Sequence, residues 1–180
     1  MNYCSNCGSN ALKFSIPEGD HLPRFICSKC HSIHYQNPRM IVGCIIENEK
    51  GEIMLCKRGI EPRLGFWNLP CGFLENNETV EDGAIREVFE ETGAKVQLGK
   101  LHSIYNLEKA QQVYLIFQAK MQDDHYQTTP ESTAIEFFPL NEIPWDQIAF
   151  SSNSHAIEHL IQKRKGLAEG LSIGSYQNQN

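Results

Sequence analysis

The sequence predicts an α/β fold of several strands and two helices, preceded by a small cysteine-rich unit. Two observations indicate this arrangement. After residue 37, short β-prone apolar runs alternate with two segments of helical spacing, whereas residues 1–36 show no helical periodicity and carry two CxxC pairs. A chain of 180 residues is long enough for one well-packed domain with a small appendage. We expect the cysteine-rich unit at residues 1–36, the main domain at residues 37–165 and a tail at residues 166–180.

The strands are predicted from short apolar runs of high β-propensity. Residues 40–47 and 52–57 form two such runs, and the polar segment between them, residues 48–51, has the composition of a hairpin turn. Further strands are expected at residues 66–69, 95–105, 112–121 and 135–140. The runs therefore predict a main domain that contains a β-sheet.

Two segments repeat apolar residues at helical spacing. The first begins after Thr79, which has the side chain of an N-cap, and ends before Gly93, which favours a helix stop. The second covers residues 152–165, where apolar residues recur at helical positions and form one face. The tail that follows holds too little apolar material to pack alone, so we expect its end, residues 177–180, to be mobile.

Composition and charge argue against several classes of protein. The formal net charge is −6 and the basic residues are scattered, which argues against an extended basic face that binds nucleic acid. The longest apolar run, residues 40–46, is too short to span a membrane, and no apolar signal region opens the chain. We therefore expect a cytoplasmic protein that binds a small phosphorylated molecule, with neither a membrane nor a nucleic acid as its partner.

Four of the seven cysteines form two CxxC pairs in the N-terminal unit. Nineteen residues separate the pairs, which is close to the spacing of two knuckles that share one tetrahedral Zn²⁺. Four thiolates leave no ligand position open for water, so the spacing predicts a structural zinc site. A redox disulfide pair is the alternative. The predicted zinc ligands are Cys4, Cys7, Cys27 and Cys30.

The first predicted helix carries a cluster of acids with metal-ligand spacing. Glu87, Glu90 and Glu91 stand at i, i+3 and i+4, so their side chains project from one helix face. Three carboxylates there repel one another, and their hard oxygen atoms favour Mg²⁺ or Mn²⁺. Arg86 lies four residues before Glu90 and can hold that carboxylate in place. For Glu78, just outside the first turn, a capping role and a metal role both remain open.

Residues 72–94, GFLENNETVEDGAIREVFEETGA, match every position of the Nudix box, and residues 38–165 resemble a Nudix hydrolase. That family has an α/β/α sandwich with a mixed β-sheet. The resemblance implies that Glu87, Glu90 and Glu91 bind the catalytic metal, and that water activated by this metal attacks a phosphorus of a diphosphate. The cation would also stabilise the oxygen charge that develops during the transfer.

The flanking segments bear on the substrate. A zinc ribbon ahead of a Nudix domain is similar to the NADH pyrophosphatases, but their SQPWPFPxS-like motif is absent from residues 106–120, NLEKAQQVYLIFQAK. The stretches IPEGDHLPRFIC, HYQNPRMIVGCIIE and NEIPWDQIAFSS resemble a ribbon-bearing group that includes ADP-ribose/FAD pyrophosphatases. That resemblance implies cleavage of ADP-ribose or FAD with release of AMP, by an enzyme that is often a homodimer. Cleavage of NADH, a capped RNA end or a damaged nucleoside triphosphate, and a nucleotide sensor without activity, remain the alternatives.

Further site residues are predicted from their chemistry and position. Arg58 and Arg63 flank a glycine-containing loop, where a planar guanidinium can grip phosphate. Glu131 lies in a later loop as a candidate general base, with a solvent-exposed loop residue as the alternative. Trp67 is a candidate for stacking on a purine or flavin ring, although aromatic side chains in strands more often belong to the core. Cys71 departs from the group that the chain resembles, which usually has Ala there.

Overall fold

The computed structural model describes residues 1–176 and divides the chain between Asn37 and Pro38 into two compact units. The mobility expected for residues 177–180 concerns a segment outside the described residues. The first unit contains the CxxC pairs, and the second contains the predicted acidic helix.

The first unit is built on a three-stranded antiparallel sheet that the sequence analysis did not predict. Its strands are β1 (Leu12–Ser15), β2 (Arg24–Cys27) and β3 (Ile33–His34), with β2 in the centre. The strands are only two to four residues long, and no apolar core cluster is found in the described part of this unit. So small a unit needs a further source of stability, such as a metal.

The second unit holds a mixed eight-stranded sheet and two helices. The strands are β4 (Arg39–Glu47), β5 (Ile53–Arg58), β6 (Trp67–Asn68), β7 (Cys71–Phe73), β8 (Val96–Leu107), β9 (Gln112–Met121), β10 (Ser132–Phe138) and β11 (Ser172–Ser175). The sheet order is β10-β5-β4-β9-β8-β11, with β6 paired to β5 and β7 paired to β4. The pairs β4–β9 and β8–β11 are parallel and the others antiparallel. The helices are α1 (Val80–Thr92) and α2 (Ser151–Arg164).

The two helices cover opposite faces of the sheet. Side chains of the central strand β4 alternate between the faces, as the period of a strand requires. Ile45 packs with the cluster that contains Ile157 of α2, whereas Cys44 packs with the cluster that contains Val88 of α1. The expected α/β/α sandwich with a mixed sheet is therefore confirmed, and all six predicted strands are present.

Helix α1 has the ends that the sequence predicts. The Thr79 hydroxyl accepts a hydrogen bond from the Asp82 backbone N–H at 3.1 Å, as an N-cap residue does. At the other end Gly93 adopts φ = 66° and donates its N–H to the Phe89 carbonyl, so a residue without Cβ is favoured there. Gly72 has a different reason to be glycine, because a Cβ at this position would lie 2.2 Å from a Glu87 carboxylate oxygen.

The segment that was predicted to be a tail, residues 166–180, contains strand β11. Strand β11 runs parallel to β8, with Ser172 opposite Ser103. Gly174 faces His155 of α2 so closely that a Cβ there would lie 2.6 Å from the imidazole. The segment gains order by pairing with an existing sheet edge, which its own composition does not reveal. No helix within residues 1–176 has the length and the apolar character needed to cross a bilayer.

Candidate active site

The acidic face of α1 borders a cleft of about 360 Å³. The Glu87 side chain is 12% exposed and that of Glu90 is 58% exposed, so the cluster runs from the floor of the cleft to its rim. Strand β5 contributes Arg58 to the lining of the cleft, and the loop before β10 contributes Glu131. The charged residues that line the cleft are Arg58, Glu75, Arg86, Glu87, Glu90, Glu91 and Glu131.

Arg86 is the centre of a hydrogen-bond network that joins the helix to the segment before it. Its Nη1 donates to Glu87 at 2.7 Å and to Glu90 at 3.1 Å. Its Nη2 donates to Glu78 at 2.7 Å and to the Phe73 carbonyl at 3.0 Å. The pairing of Arg86 with Glu90 that the spacing predicts is present, and the planar guanidinium also fixes Glu87.

Glu78 accepts hydrogen bonds from Arg86, whereas Thr79 caps the N-terminus of α1. One Glu78 carboxylate oxygen accepts the Nε–H of Arg86 at 2.9 Å, and the other accepts the backbone N–H of Glu75 at 2.7 Å. The Arg86 guanidinium, followed by the Glu75 amide, lowers the pKa of Glu78 to about 2. The side-chain cap of α1 is therefore Thr79 and not Glu78, whereas a metal role for Glu78 stays a prediction.

The remaining acids repel one another across the cleft. Burial, assisted by the negative charges of Glu87 and Glu131, raises the pKa of Glu91 to about 8, and Arg58 opposes this shift. Burial also raises the pKa of Glu87, against the effect of Arg86. Like charges in a partly desolvated site favour the protonated form until a cation neutralises them.

The donor set of the cleft fits a hard divalent cation. Glu87, Glu90 and Glu91 offer carboxylate oxygens, which are the ligands that Mg²⁺ and Mn²⁺ prefer. Their oxygens are not drawn closely together, since the cysteine quartet is the only group within residues 1–176 whose ligand atoms all lie within 4.8 Å of one another. The Nη1 atom of Arg86 donates to both Glu87 and Glu90.

Of the predicted phosphate-binding arginines, only Arg58 lines the cleft. Its Nε donates to the Pro62 carbonyl at 2.8 Å, and its guanidinium lies over the Phe150 ring at 5.1 Å from the ring centre. Arg63 is exposed and lies over the Phe66 ring instead. The structure therefore brings Arg58 to the acids and leaves Arg63 on the surface loop, where its phosphate contact stays a prediction.

Trp67 belongs to the core, which corrects its expected role in stacking on a substrate ring. Its side chain is 6% exposed and packs edge-to-face against Phe138, with ring centres 5.0 Å apart. A ring that is covered on both faces offers no surface to a nucleobase.

A second cavity next to the cleft was not found from the sequence. It measures about 180 Å³ and shares Arg58, Asn68 and Cys71 with the cleft. The side chains that line this cavity but not the cleft come from segments far apart in the chain. For example, the parallel pairing of β4 with β9 sets Ile41 opposite Tyr114. Sequence spacing carries no signal for such a cavity, because it depends on strand register. The residues that line the second cavity alone are Ile41, Pro62, Gln112, Tyr114 and Phe150.

A buried pair of amides supports the turn that leads into the cleft. Asn153 of α2 donates from its Nδ2 to the Oδ1 of Asn68. Asn68 in turn donates to the Leu69 carbonyl at 2.6 Å and to the Cys71 Sγ at 3.6 Å. Both asparagines are fully buried. This pair holds the backbone just before Gly72, against which Glu87 packs.

The four cysteines of the CxxC pairs converge in the first unit. The Cys4 and Cys30 sulfurs lie 3.6 Å apart, as do those of Cys7 and Cys27, and all four residues are free thiols. The sulfurs of the quartet all lie within 4.8 Å of one another. This arrangement fits four ligands around one zinc ion and disagrees with the disulfide alternative.

Both units match known family models. The model described as the NUDIX domain matches residues 37–160, and the model described as Nudix N-terminal matches residues 2–36. A solved structure, a Nudix hydrolase from Nitrosomonas europaea, is 45% identical, with a TM-score of 0.89 over 98% of this chain and 100% of that chain. The match covers both units of the chain.

Two curated relatives illustrate the range of activities among similar proteins. An ADP-ribose pyrophosphatase from Methanocaldococcus jannaschii is 32% identical over 61% of this chain and 67% of its own length. An NAD-capped RNA hydrolase, NudC, from Pseudomonas aeruginosa is 28% identical over 96% of this chain. A further relative, a MutT-like protein from Streptomyces ambofaciens, is aligned with this chain over 64% of its own length. NudC is aligned over 60% of its own length.

Proposed function

Because the chain belongs to the Nudix hydrolase family, we propose that it is a divalent-metal-dependent pyrophosphohydrolase of a nucleoside diphosphate linked to another moiety. One observation carries this proposal. The acids Glu87, Glu90 and Glu91 of the Nudix box line a single cleft together with Arg58 and Glu131. The cleft thus combines ligands for a cation, a cationic group for phosphate and a carboxylate that can accept a proton.

The three glutamates of α1 would hold Mg²⁺ or Mn²⁺. A bound divalent cation supplies Lewis-acid activation of phosphate and lowers the pKa of a bound water. Arg86 orients Glu87 and Glu90, and Glu78 keeps Arg86 in place. Gly72 leaves the space in which the Glu87 carboxylate packs.

Arg58 and Glu131 complete the proposed reaction site. Arg58 is held by Pro62 and Phe150, so its guanidinium is positioned before the substrate arrives and can neutralise a phosphate oxygen. Glu131 lines the same cleft, and its charge acts on both Glu87 and Glu91. In this proposal Glu131 is the general base that accepts a proton from the attacking water.

ADP-ribose and FAD are the proposed substrates, with AMP as a product. The resemblance of the flanking segments and the relative from Methanocaldococcus jannaschii, named ADP-ribose pyrophosphatase, support this choice. The NudC relative supports NADH or an NAD-capped RNA end as a second candidate. A sensor without activity is the weaker reading, because Glu87, Glu90 and Glu91 of the box all line the cleft.

A substrate panel tests the proposal. The purified protein is incubated with ADP-ribose, FAD, NADH, NAD-capped RNA and damaged nucleoside triphosphates, each with Mg²⁺, Mn²⁺ or a chelator, and the products are identified by mass spectrometry. We expect AMP and a phosphorylated partner from ADP-ribose or FAD, and no turnover with the chelator. Tight nucleotide binding without turnover of any compound would instead indicate the sensor.

Two properties outside the cleft are also proposed. The cysteine quartet would hold one structural Zn²⁺, as its sulfur positions and the match to the Nudix N-terminal model support. The homodimer expected from the resemblance is proposed for the protein in solution, and light scattering after size-exclusion chromatography measures it directly. A mass of one chain, 20.5 kDa, would contradict the dimer.

A further inference from the structure

The cavity beside the catalytic cleft differs from it in chemical character. Acids line the cleft, whereas Ile41, Tyr114 and Phe150 give the cavity apolar walls. Arg58 lines both spaces, so the positive charge stands at their border. A ligand that fills both spaces must therefore carry an anionic group next to an uncharged, largely apolar one.

Two amides line the cavity, and their hydrogen bonds differ. The Nδ2 of Asn68 donates to the Leu69 carbonyl and to the Cys71 sulfur, and its Oδ1 accepts from Asn153. Its two donor hydrogens are therefore in use. Gln112 accepts the Tyr114 hydroxyl through its Oε1 at 3.3 Å, and its NH2 group has no partner among the hydrogen bonds of residues 1–176. Gln112 thus keeps donors for a ligand.

We propose that this cavity binds the aromatic base of the substrate nucleoside and that Gln112 donates a hydrogen bond to an acceptor on that base. The inference rests on the proposed function, since it takes the diphosphate to lie at the acids. Aromatic and aliphatic walls bury the faces of a planar ring, while a single positioned donor selects its edge. Arg58 then contacts the phosphate next to the nucleoside.

In this proposal Gln112 determines the preference among bases and takes no part in the reaction, which occurs in the cleft. It does not line the cleft that holds the acids. Its replacement should therefore change KM and the preference among bases while kcat stays nearly constant. A loss confined to kcat would point to a role at the reacting atoms.

Binding of two products separates the base from the phosphate. Calorimetry on the Mg²⁺-loaded protein measures the Kd of AMP and of ribose 5-phosphate, in which a hydroxyl group takes the place of the base. We expect AMP to bind at least about tenfold more tightly, as burial of an aromatic ring implies. Equal affinities, or no binding of AMP, would overturn the proposal.

Two substitutions of Gln112 test the hydrogen bond itself. Gln112→Leu removes the donors, and Gln112→Glu replaces them with a carboxylate while retaining an acceptor for Tyr114. We expect either change to reduce the preference for AMP over ribose 5-phosphate by about three- to tenfold. Gln97→Leu, on the exposed surface of β8, serves as the control and should leave the preference intact.

The outcome separates this proposal from the proposed function. An unchanged base preference in both Gln112 variants would overturn the role of Gln112, whatever the activity of the protein. Failure of the wild-type protein to hydrolyse any substrate would overturn the proposed function, whereas a preference for AMP that depends on Gln112 would still support the base cavity. Comparison of the KM of ADP-ribose with that of its hypoxanthine and uracil counterparts then shows which acceptor atom of the base receives the Gln112 hydrogen bond.

Discussion

Single residues in the cleft each act through close contacts that the motif alone does not specify. Arg86 bonds to Glu78, Glu87 and Glu90, although its spacing predicted only the contact with Glu90. A guanidinium shared by three carboxylates holds their side chains in place before a cation binds, which lowers the entropy that binding must overcome. The arrangement explains why Arg belongs at this position and why Lys, with one point charge, is a poor substitute.

The raised pKa of Glu91 makes stability depend on pH. Its pKa is about 8 in the folded protein against an ordinary value of 4.5, so between these values the folded protein keeps a proton that the unfolded chain has lost. The metal-free protein should therefore lose stability as pH rises through this window and change no further above it. Glu91→Gln should weaken that dependence and leave the part that arises from Glu87, whose pKa burial also raises.

Thermal unfolding in the presence of a chelator measures this effect. At about pH 8 we expect Glu91→Gln to be more stable than the wild type by about 1 kcal/mol or more, roughly 2–4 °C in Tm, and the gain to vanish near pH 4. Glu81→Gln, on the exposed face of the same helix, controls for the lost charge. A gain that is equal at both pH values would refute the cause given for the shift.

At the scale of secondary-structure elements, those marked by local signals could be predicted, whereas those that depend on tertiary pairing could not. Helix α1 was located from Thr79 and Gly93 because both act within one turn of the backbone. Strands β7 and β11 were missed because they are short, and each is ordered by pairing with a longer strand, β4 or β8. The close packing of Glu87 against Gly72, which explains the glycine there, could not be predicted from the sequence.

Helix α2 supports the cleft through the buried Asn153–Asn68 pair. Replacing Asn153 with Ala leaves the Asn68 carbonyl without its donor, so we expect the free energy of unfolding to fall by about 1–3 kcal/mol. Urea unfolding measures this loss, and Glu158→Ala, an exposed change on the same helix, should cost little. If Asn153→Ala and Glu158→Ala are equally mild, the pair does not hold the turn.

At the scale of the whole molecule, the first unit depends on its cysteines. The sheet of this unit is small, and Cys4 and Cys27 are its only fully buried cysteines among the described residues. Metal analysis should find about one Zn per chain, and Cys27→Ser should remove it. Ser28→Ala, an exposed change in the same knuckle, should retain the zinc. Disulfide formation in the freshly purified protein would contradict this prediction.

The sequence and the structure agree most closely where function is encoded in a contiguous segment. Residues 72–94 alone predict the acids, their helix and the family. The second cavity and the Asn153–Asn68 pair could not be found in this way, because residues 41 and 114, or 68 and 153, meet only through the sheet and the packing of α2. Substrate choice depends on such long-range contacts. The contiguous motif therefore predicts the reaction, whereas it does not predict the substrate.

The most direct test of the central claim compares the turnover number of Glu90→Gln with that of the wild type on the best substrate of the panel. Glu90 is the most exposed of the three acids on the cleft, so its amide should leave the fold intact while it removes one metal ligand. With saturating Mg²⁺ we expect kcat to fall by a factor on the order of 10² or more, and Glu81→Gln to keep wild-type turnover. Full turnover by Glu90→Gln would contradict the assignment of these carboxylates to the catalytic metal.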